Sequence, residues 1–333
     1  MRISTISSAY WRRGIRYIFA PFKSRNGQIL VLLVLMCLAS WASLKWEPPL
    51  FFSPPPDPPQ RANLRTSQIP QRIWQIQLPM PESIPATGIR RETHVRSWLR
   101  QNPHHTYIRL GIDDAREFIQ LHYADRPEYL ETYEALQNPA LKSDLLRYLV
   151  LAAAGGVYSD LDTRALKPID QWIPDAYQPH ARLLIGFEWD QRDGKLPRYF
   201  FYPIQFQQWT IAAAPGHPLL QDMLDYVFVQ LENLTRVHNT TLESLQFTDE
   251  EIWTATGPRA WTETIWRYLR RHEGLANLTA LSCLQEPRLF GDVLVYPINA
   301  FGSGQSHSGS YRWLTPKDGL VKHYFDGSWR VQM

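Results

Sequence analysis

The stretch Asn138-Pro139-Ala140-Leu141-Lys142-Ser143-Asp144-Leu145-Leu146-Arg147-Tyr148-Leu149-Val150-Leu151-Ala152-Ala153-Ala154-Gly155-Gly156-Val157-Tyr158-Ser159-Asp160-Leu161-Asp162 carries helix, turn and strand signals in succession. Asn138 is a capping residue, and Pro139 suits the first helical position, where a missing N–H costs nothing. Ala140 to Ala154 holds strong helix formers and no breaker. Gly155-Gly156 ends the helix, because glycine adopts the C-terminal turn without a Cβ penalty. Val157-Tyr158-Ser159 resumes as a short strand, and Asp160-Leu161-Asp162 closes it. The predicted order is helix, tight turn, strand, acidic pair.

Most of the helix is apolar, so it is predicted to be largely buried. Asp144 and Arg147 are three residues apart and share one face. Buried charges need partners. Either the two pair with each other, or they face a polar ligand. Asp160 and Asp162, at alternate positions of a strand end, can both reach one divalent cation. Hard cations such as Mn²⁺ or Mg²⁺ prefer carboxylate oxygens and keep positions open for phosphate. Asp-x-Asp is short enough that roughly one occurs by chance in a chain this long. The double glycine and the strand before it are what single this one out.

Outward from this stretch, apolar and β-branched runs predict strands at Arg72–Ile76, Tyr107–Leu110 and Leu183–Phe187. Helical spacing predicts helices near Glu92–Arg100, Asp114–His122, Pro218–Leu231 and Ala260–Arg271. Alternating helices and strands indicate an α/β sheet sandwiched by helices over residues 69–333. Gly-x-Gly-x-x-Gly, a P-loop and Gly-x-Ser-x-Gly are all lacking. Gly302-Ser303-Gly304-Gln305-Ser306-His307 reads as a mobile loop with the character of a lid.

The net charge of +3 is unevenly placed. Residues 1–46 hold seven cations and no acid, which leaves 28 cations against 32 acids beyond them. The main domain is therefore mildly acidic, which disfavours a nucleic-acid partner. Two cysteines, Cys37 and Cys283, exclude a zinc cluster or a disulfide scaffold. Cys283 reads as a buried small residue or a free thiol. Nineteen uncharged residues separate Arg25 from Lys45, close to the ~20 that cross a bilayer. With the cations on the N-terminal side, residues 1–25 are expected in the cytosol as a basic tail, residues 26–45 as a signal-anchor, and the rest in the lumen. Cleavage after Ser40-Trp41-Ala42 is the alternative. The proline-rich residues 46–68 read as an extended stem. Sequons at Asn233, Asn239 and Asn277 could accept N-glycans in a lumenal domain.

The quoted stretch, with Leu166-Lys167-Pro168-Ile169 after it, resembles the signature of glycosyltransferase family 32. Further similar segments are Ile69–Gln75, Gln208-Trp209-Thr210, Pro215-Gly216-His217-Pro218, Thr256-Gly257-Pro258 and His323–Trp329. Together they look most like the fungal Golgi α-1,6-mannosyltransferases that start the outer chain of N-glycans. The resemblance covers roughly residues 69–330. It implies a GT-A-type fold, a mixed sheet flanked by helices, behind an N-terminal transmembrane helix. It also implies a GDP-mannose donor, Mn²⁺ or Mg²⁺, retention of configuration, and a Golgi membrane of type II topology, with other Golgi glycosyltransferases as candidate partners.

By the same resemblance, Asp160 and Asp162 hold the metal and diphosphate, and Asp144, Arg147 and Tyr158 contact the donor. Trp74 packs on the base, while His323 with Gly327-Ser328-Trp329 closes over the diphosphate, and His323 joins the two acids as a metal ligand. Read without the family, Trp74 on a strand is more often a plain core residue, and His323 could be a surface histidine. Glu188 and Asp190, at the end of another strand, are candidates for the acceptor side. The rival readings are a family member that mannosylates a sphingolipid head group and a non-catalytic, metal-dependent glycan-binding module.

Overall fold

Parallel pairing of three strands sets one half of the fold. The computed structural model describes residues 68–79, 88–192, 194–197, 200–311 and 317–326. The basic tail, the anchor and nearly all of the stem lie outside the described residues, as do Gly327, Ser328 and Trp329. The described residues fall in one compact unit, Phe52–Met333. Among them, no helix is long and apolar enough to cross a membrane.

Strand β1 (Arg72–Ile76) leads through helix α1 (Gly88–Gln101) to β2 (Thr106–Leu110), and the two strands pair in parallel. Helices α2 (Ile112–His122), α3 (Pro127–Ala135) and α4 (Pro139–Ala154) then lead to β3 (Gly156–Ser159), which lies parallel on the other side of β1. After β4 (Thr163–Ala165) come β5 (Leu183–Asp190), β6 (Ile204–Phe206) and β7 (Thr210–Ala213). The helices α5 (Pro218–His238), α6 (Asp249–Ala255) and α7 (Pro258–Glu273) follow, then β8 (Arg288–Phe290), β9 (Val293–Tyr296) and β10 (Val321–His323). The main sheet runs β2-β1-β3-β7-β5-β9-β8, with β6 paired to β5. It is mixed: β7 is antiparallel to both β3 and β5, while β5 and β9 are parallel. A separate antiparallel pair joins β10 to β4.

Alternation along the strands divides the core. Trp74 and Tyr158 face one layer, built with Phe118, Leu145, Leu149, Met223 and Trp261 from the helices. Ile73 and Val157 face the other, with Val95, Trp98, Trp172 and Phe301. The predicted α/β sheet between helices is the observed architecture.

The deciding stretch folds as read. The side chain of Asn138 accepts from the Ala140 amide, and α4 ends at Gly155 with φ 63°. A Cβ there would lie 2.7 Å from the Pro215 nitrogen, and one at Gly156 (φ 103°) would lie 2.8 Å from the Arg72 carbonyl oxygen. Both glycines are therefore required twice, for positive φ and for close approach. The segment Gly302–His307 departs from its reading. Ser303 is buried, Lys322 donates to its carbonyl oxygen, and Ser310 Oγ donates to the Gly302 carbonyl at 2.9 Å. Those bonds hold it as packed structure rather than a lid.

Candidate active site

The carboxyl end of β3 opens into a cavity of about 730 Å³, within the size range of small-molecule sites. Asp160 and Asp162 lie on its wall, with Asp144, Arg147, Tyr158 and His323. β3 delivers the two acids directly, because the chain turns there: Thr163 donates its amide back to the Asp160 carbonyl at 3.1 Å. α4 delivers Asp144 and Arg147 from the helix layer. β10, paired to β4 just past the acids, delivers His323.

One network links these groups. An Arg147 amine, Nη2, lies 2.8 Å from Asp144 Oδ1 and 3.6 Å from Asp160 Oδ1. The guanidinium also sits 4.9 Å from the Tyr158 ring centroid. Tyr158 donates its hydroxyl hydrogen to Asp160 Oδ1. Asp144 accepts from Gln208 Nε2 and from Thr256 Oγ1, each at 2.8 Å. Both sequence alternatives for Asp144 and Arg147 thus hold together: they pair, and they line the cavity.

Burial dominates the electrostatics. Asp144 is pushed up to about 6 by desolvation, only partly offset by Arg147 and the Thr256 hydroxyl. Asp160 is also raised, by burial first, with Arg147 opposing and neighbouring Asp162 adding to the rise. Burial acts against Asp162 too, but the contact with His323 and the Asp326 amide outweigh it, and its carboxyl falls below the ordinary range. Burial opposes the charge of Arg147; Tyr158, Asp144 and Asp160 outweigh that and hold it protonated.

The acids are chemically suited to a divalent cation. One ligand atom each from Asp160, Asp162 and His323 lie within 4.8 Å of one another. His323 Nε2 is 3.2 Å from Asp162 Oδ1, and its ring is held against Trp209 at 4.5 Å between centroids. The backbone N–H of Asp326 donates to Asp162 Oδ2 at 2.9 Å. Two half-buried carboxylates supply hard oxygen donors and the buried imidazole a borderline nitrogen, and a cation there would relieve the like-charge contact of Asp160 with Asp162.

Other expected residues are placed differently. Trp74 lies in the core with 0% exposure. Its Nε1 donates to the Gly155 carbonyl at 2.7 Å, and its ring meets Phe118 edge-on, so it is not on the cavity wall. Glu188 does line the cavity, beside Gln205. Asp190 does not, which corrects its acceptor-side reading: the register shifts between Phe187 and Trp189, and a bulge reverses the alternation beyond it. The Asp190 carboxylate instead accepts from Ser282 Oγ and the Cys283 amide, both at 2.7 Å. Cys283 is an exposed free thiol. Asn239 and Asn277 are exposed and Asn233 is half-buried.

Gln208, Trp209 and Thr256 received no role from the sequence. Their segments, Gln208-Trp209-Thr210 and Thr256-Gly257-Pro258, were the available signal, but only the fold shows that they hold Asp144 and His323.

The sequence is similar to those of known glycosyltransferases. Residues 89–178 match the family described as glycosyltransferase sugar-binding region containing DXD motif, and Asp160-Leu161-Asp162 lies inside that region. The chain is 34% identical over 270 residues to the "Initiation-specific alpha-1,6-mannosyltransferase" of Schizosaccharomyces pombe, covering 79% of this chain and 64% of that protein. It is 28% identical over 283 residues to the protein of the same name from Candida albicans, covering 78% of this chain and 72% of that one. It therefore spans less than two thirds of the Schizosaccharomyces pombe relative's length. Among solved structures, "PaToxG Glycosyltransferase" aligns at 16% identity with a TM-score of 0.37, over 66% of this chain and 73% of that one.

Proposed function

We propose, from the membership of this chain in the DXD-containing glycosyltransferases, that it is a metal-dependent, retaining mannosyltransferase. It moves mannose from GDP-mannose to a mannose hydroxyl of an N-glycan, in α-1,6 linkage. The observation that carries the reading is the acidic pair with His323 at the end of β3, inside a cavity large enough for a nucleotide sugar. Residues 69–333 act as a GT-A-type catalytic domain in the Golgi lumen, with residues 26–45 as a type II anchor and 46–68 as the stem.

Asp160, Asp162 and His323 would hold Mn²⁺ or Mg²⁺. When bound, the ion offsets the charge that develops on the diphosphate as the sugar bond breaks. Arg147 adds fixed positive charge beside Asp160, in a buried setting where such charge counts for more than in water. Asp144, braced by Gln208 and Thr256, orients Arg147 and offers its free lone pairs to donor-sugar hydroxyls. Tyr158 fixes the Asp160 carboxylate through its hydroxyl. Ser328 and Trp329 belong to the same proposal as a segment that covers the diphosphate.

The test is turnover of labelled GDP-mannose with a manno-oligosaccharide acceptor, with and without Mn²⁺, in the unaltered chain and in Asp162→Ala. Linkage of the product is read by NMR. Expected is metal-dependent transfer that drops at least a hundredfold in Asp162→Ala, on the scale of losing a key electrostatic group, with the circular dichroism spectrum retained. Equal turnover in the variant would refute the metal role.

A further inference from the structure

The cavity has two ends, and the donor chemistry above uses one of them. Along the sheet the order is β1, β3, β7, β5. Strands stand about 4.8 Å apart, so β5 lies roughly 14 Å from β1. β7 is antiparallel to both β3 and β5, so β3 and β5 point the same way and their carboxyl ends share one edge of the sheet. In open α/β sheets, ligands bind outside the carboxyl ends of parallel strands; β5 and β9 are parallel as well, but the acidic pair follows β3, which assigns the diphosphate to the β2-β1-β3 side. The β5 end is left over.

That end has a built wall. Phe200 and Phe201, before β6, and Trp253, on α6, line it together with Glu188 and Gln205. The rings of Phe201 and Trp253 are 6.1 Å apart between centroids, and the Arg259 guanidinium sits 4.4 Å from the Phe201 centroid, bracing it. Phe200 is stacked on Trp189 at 4.4 Å. All three cavity aromatics are half-buried. Beside them Gln205 is 2% exposed. Its Nε2 donates to Glu188 Oε2 at 2.9 Å, while its Oε1 has no hydrogen-bond partner. A buried amide oxygen without a donor is costly to leave so, and a ligand hydroxyl would satisfy it.

We infer that Phe200, Phe201 and Trp253, with Glu188 and Gln205, form a subsite for a pyranose ring of the acceptor. The carbon face of the ring packs on the aromatic wall, and its hydroxyls bond the carboxylate and the amide oxygen. This inference rests on the glycosyl-transfer reading. It adds which residues hold the acceptor, and it keeps acceptor and nucleotide on opposite sides of the acidic pair.

The experiment is steady-state kinetics of the full chain with Mn²⁺, GDP-mannose and a manno-oligosaccharide, comparing Trp253→Ala and Trp253→Phe with the unaltered protein. Acceptor KM, donor KM and acceptor-free hydrolysis of GDP-mannose are read separately. Expected in Trp253→Ala is an acceptor KM raised about tenfold, the size of a lost aromatic contact of this class, with donor KM and hydrolysis unchanged. Trp253→Phe should recover most of the loss. An unchanged acceptor KM, or a rise confined to donor KM, overturns the subsite and leaves the glycosyl-transfer reading intact. An unaltered chain that neither binds nor hydrolyses GDP-mannose overturns both. Should Trp253→Ala lose its circular dichroism signal, Glu188→Gln, nearly isosteric at a half-buried position, is read by the same criteria.

Discussion

Asp144 shows at residue scale how burial and pairing compete. It sits on a helix of leucines, 2.8 Å from an arginine, yet desolvation lifts its carboxyl to about 6. Because that lies above the ordinary 3.8, folding favours the protonated form. The stability it contributes is fully present below about pH 4 and is lost as pH rises through about 6. Thermal unfolding of Asp144→Asn across that window should therefore show a flatter pH dependence than the unaltered chain; identical slopes would mean that another group titrates there. The sequence placed Asp144 and Arg147 on one face but could not choose between pairing and ligand contact. The partners that decide it, Gln208 and Thr256, lie 64 and 112 residues away.

At the scale of elements, the junction of α4 with β3 aims the acids. Gly155 and Gly156 place the helix end against Pro215 and the strand start against Arg72. Gly155→Ala combines a disfavoured φ with an overlap against backbone, which neither rotamers nor side-chain movement relieves. The expected destabilisation is more than about 1 kcal/mol by chemical denaturation, with weaker Mn²⁺ binding as β3 shifts. This junction was legible because capping, helix propensity and glycine's φ are local. β5 was legible as a strand but not in its facing. One bulge reverses the alternation, so Glu188 reaches the cavity while Asp190 staples the Ser282–Cys283 turn. Trp74 posed a related problem: it faces the same layer as Tyr158, yet Tyr158 lines the cavity while Trp74 packs edge-on against Phe118, and its own sequence does not tell the two apart.

Across the whole molecule, the site closes through β10. His323 meets Asp162 because β10 pairs with β4, with His323 opposite Thr163. That pairing joins segments about 160 residues apart, and loop closure over such a distance must be offset by packing. Trp209 against the His323 ring, and Val321 buried beside it, supply that packing. His323→Ala should weaken Mn²⁺ binding in calorimetry by at least the roughly tenfold that loss of even an outer partner costs, while the main sheet, which does not include β10, keeps its spectrum. Unchanged affinity would remove His323 from the ligand set.

The sequence by itself determined the helix, turn, strand and acidic pair, and the α/β class, because each depends on residues within a turn or two of one another. The tertiary structure alone decided that Gln208 and Thr256 hold Asp144, that Trp74 is core, that Asp190 turns away, and that Phe200, Phe201 and Trp253 line the same cavity as the acids. Those outcomes depend on strand order, one bulge and long-range pairing, and such contacts are selected by total burial rather than by any local preference.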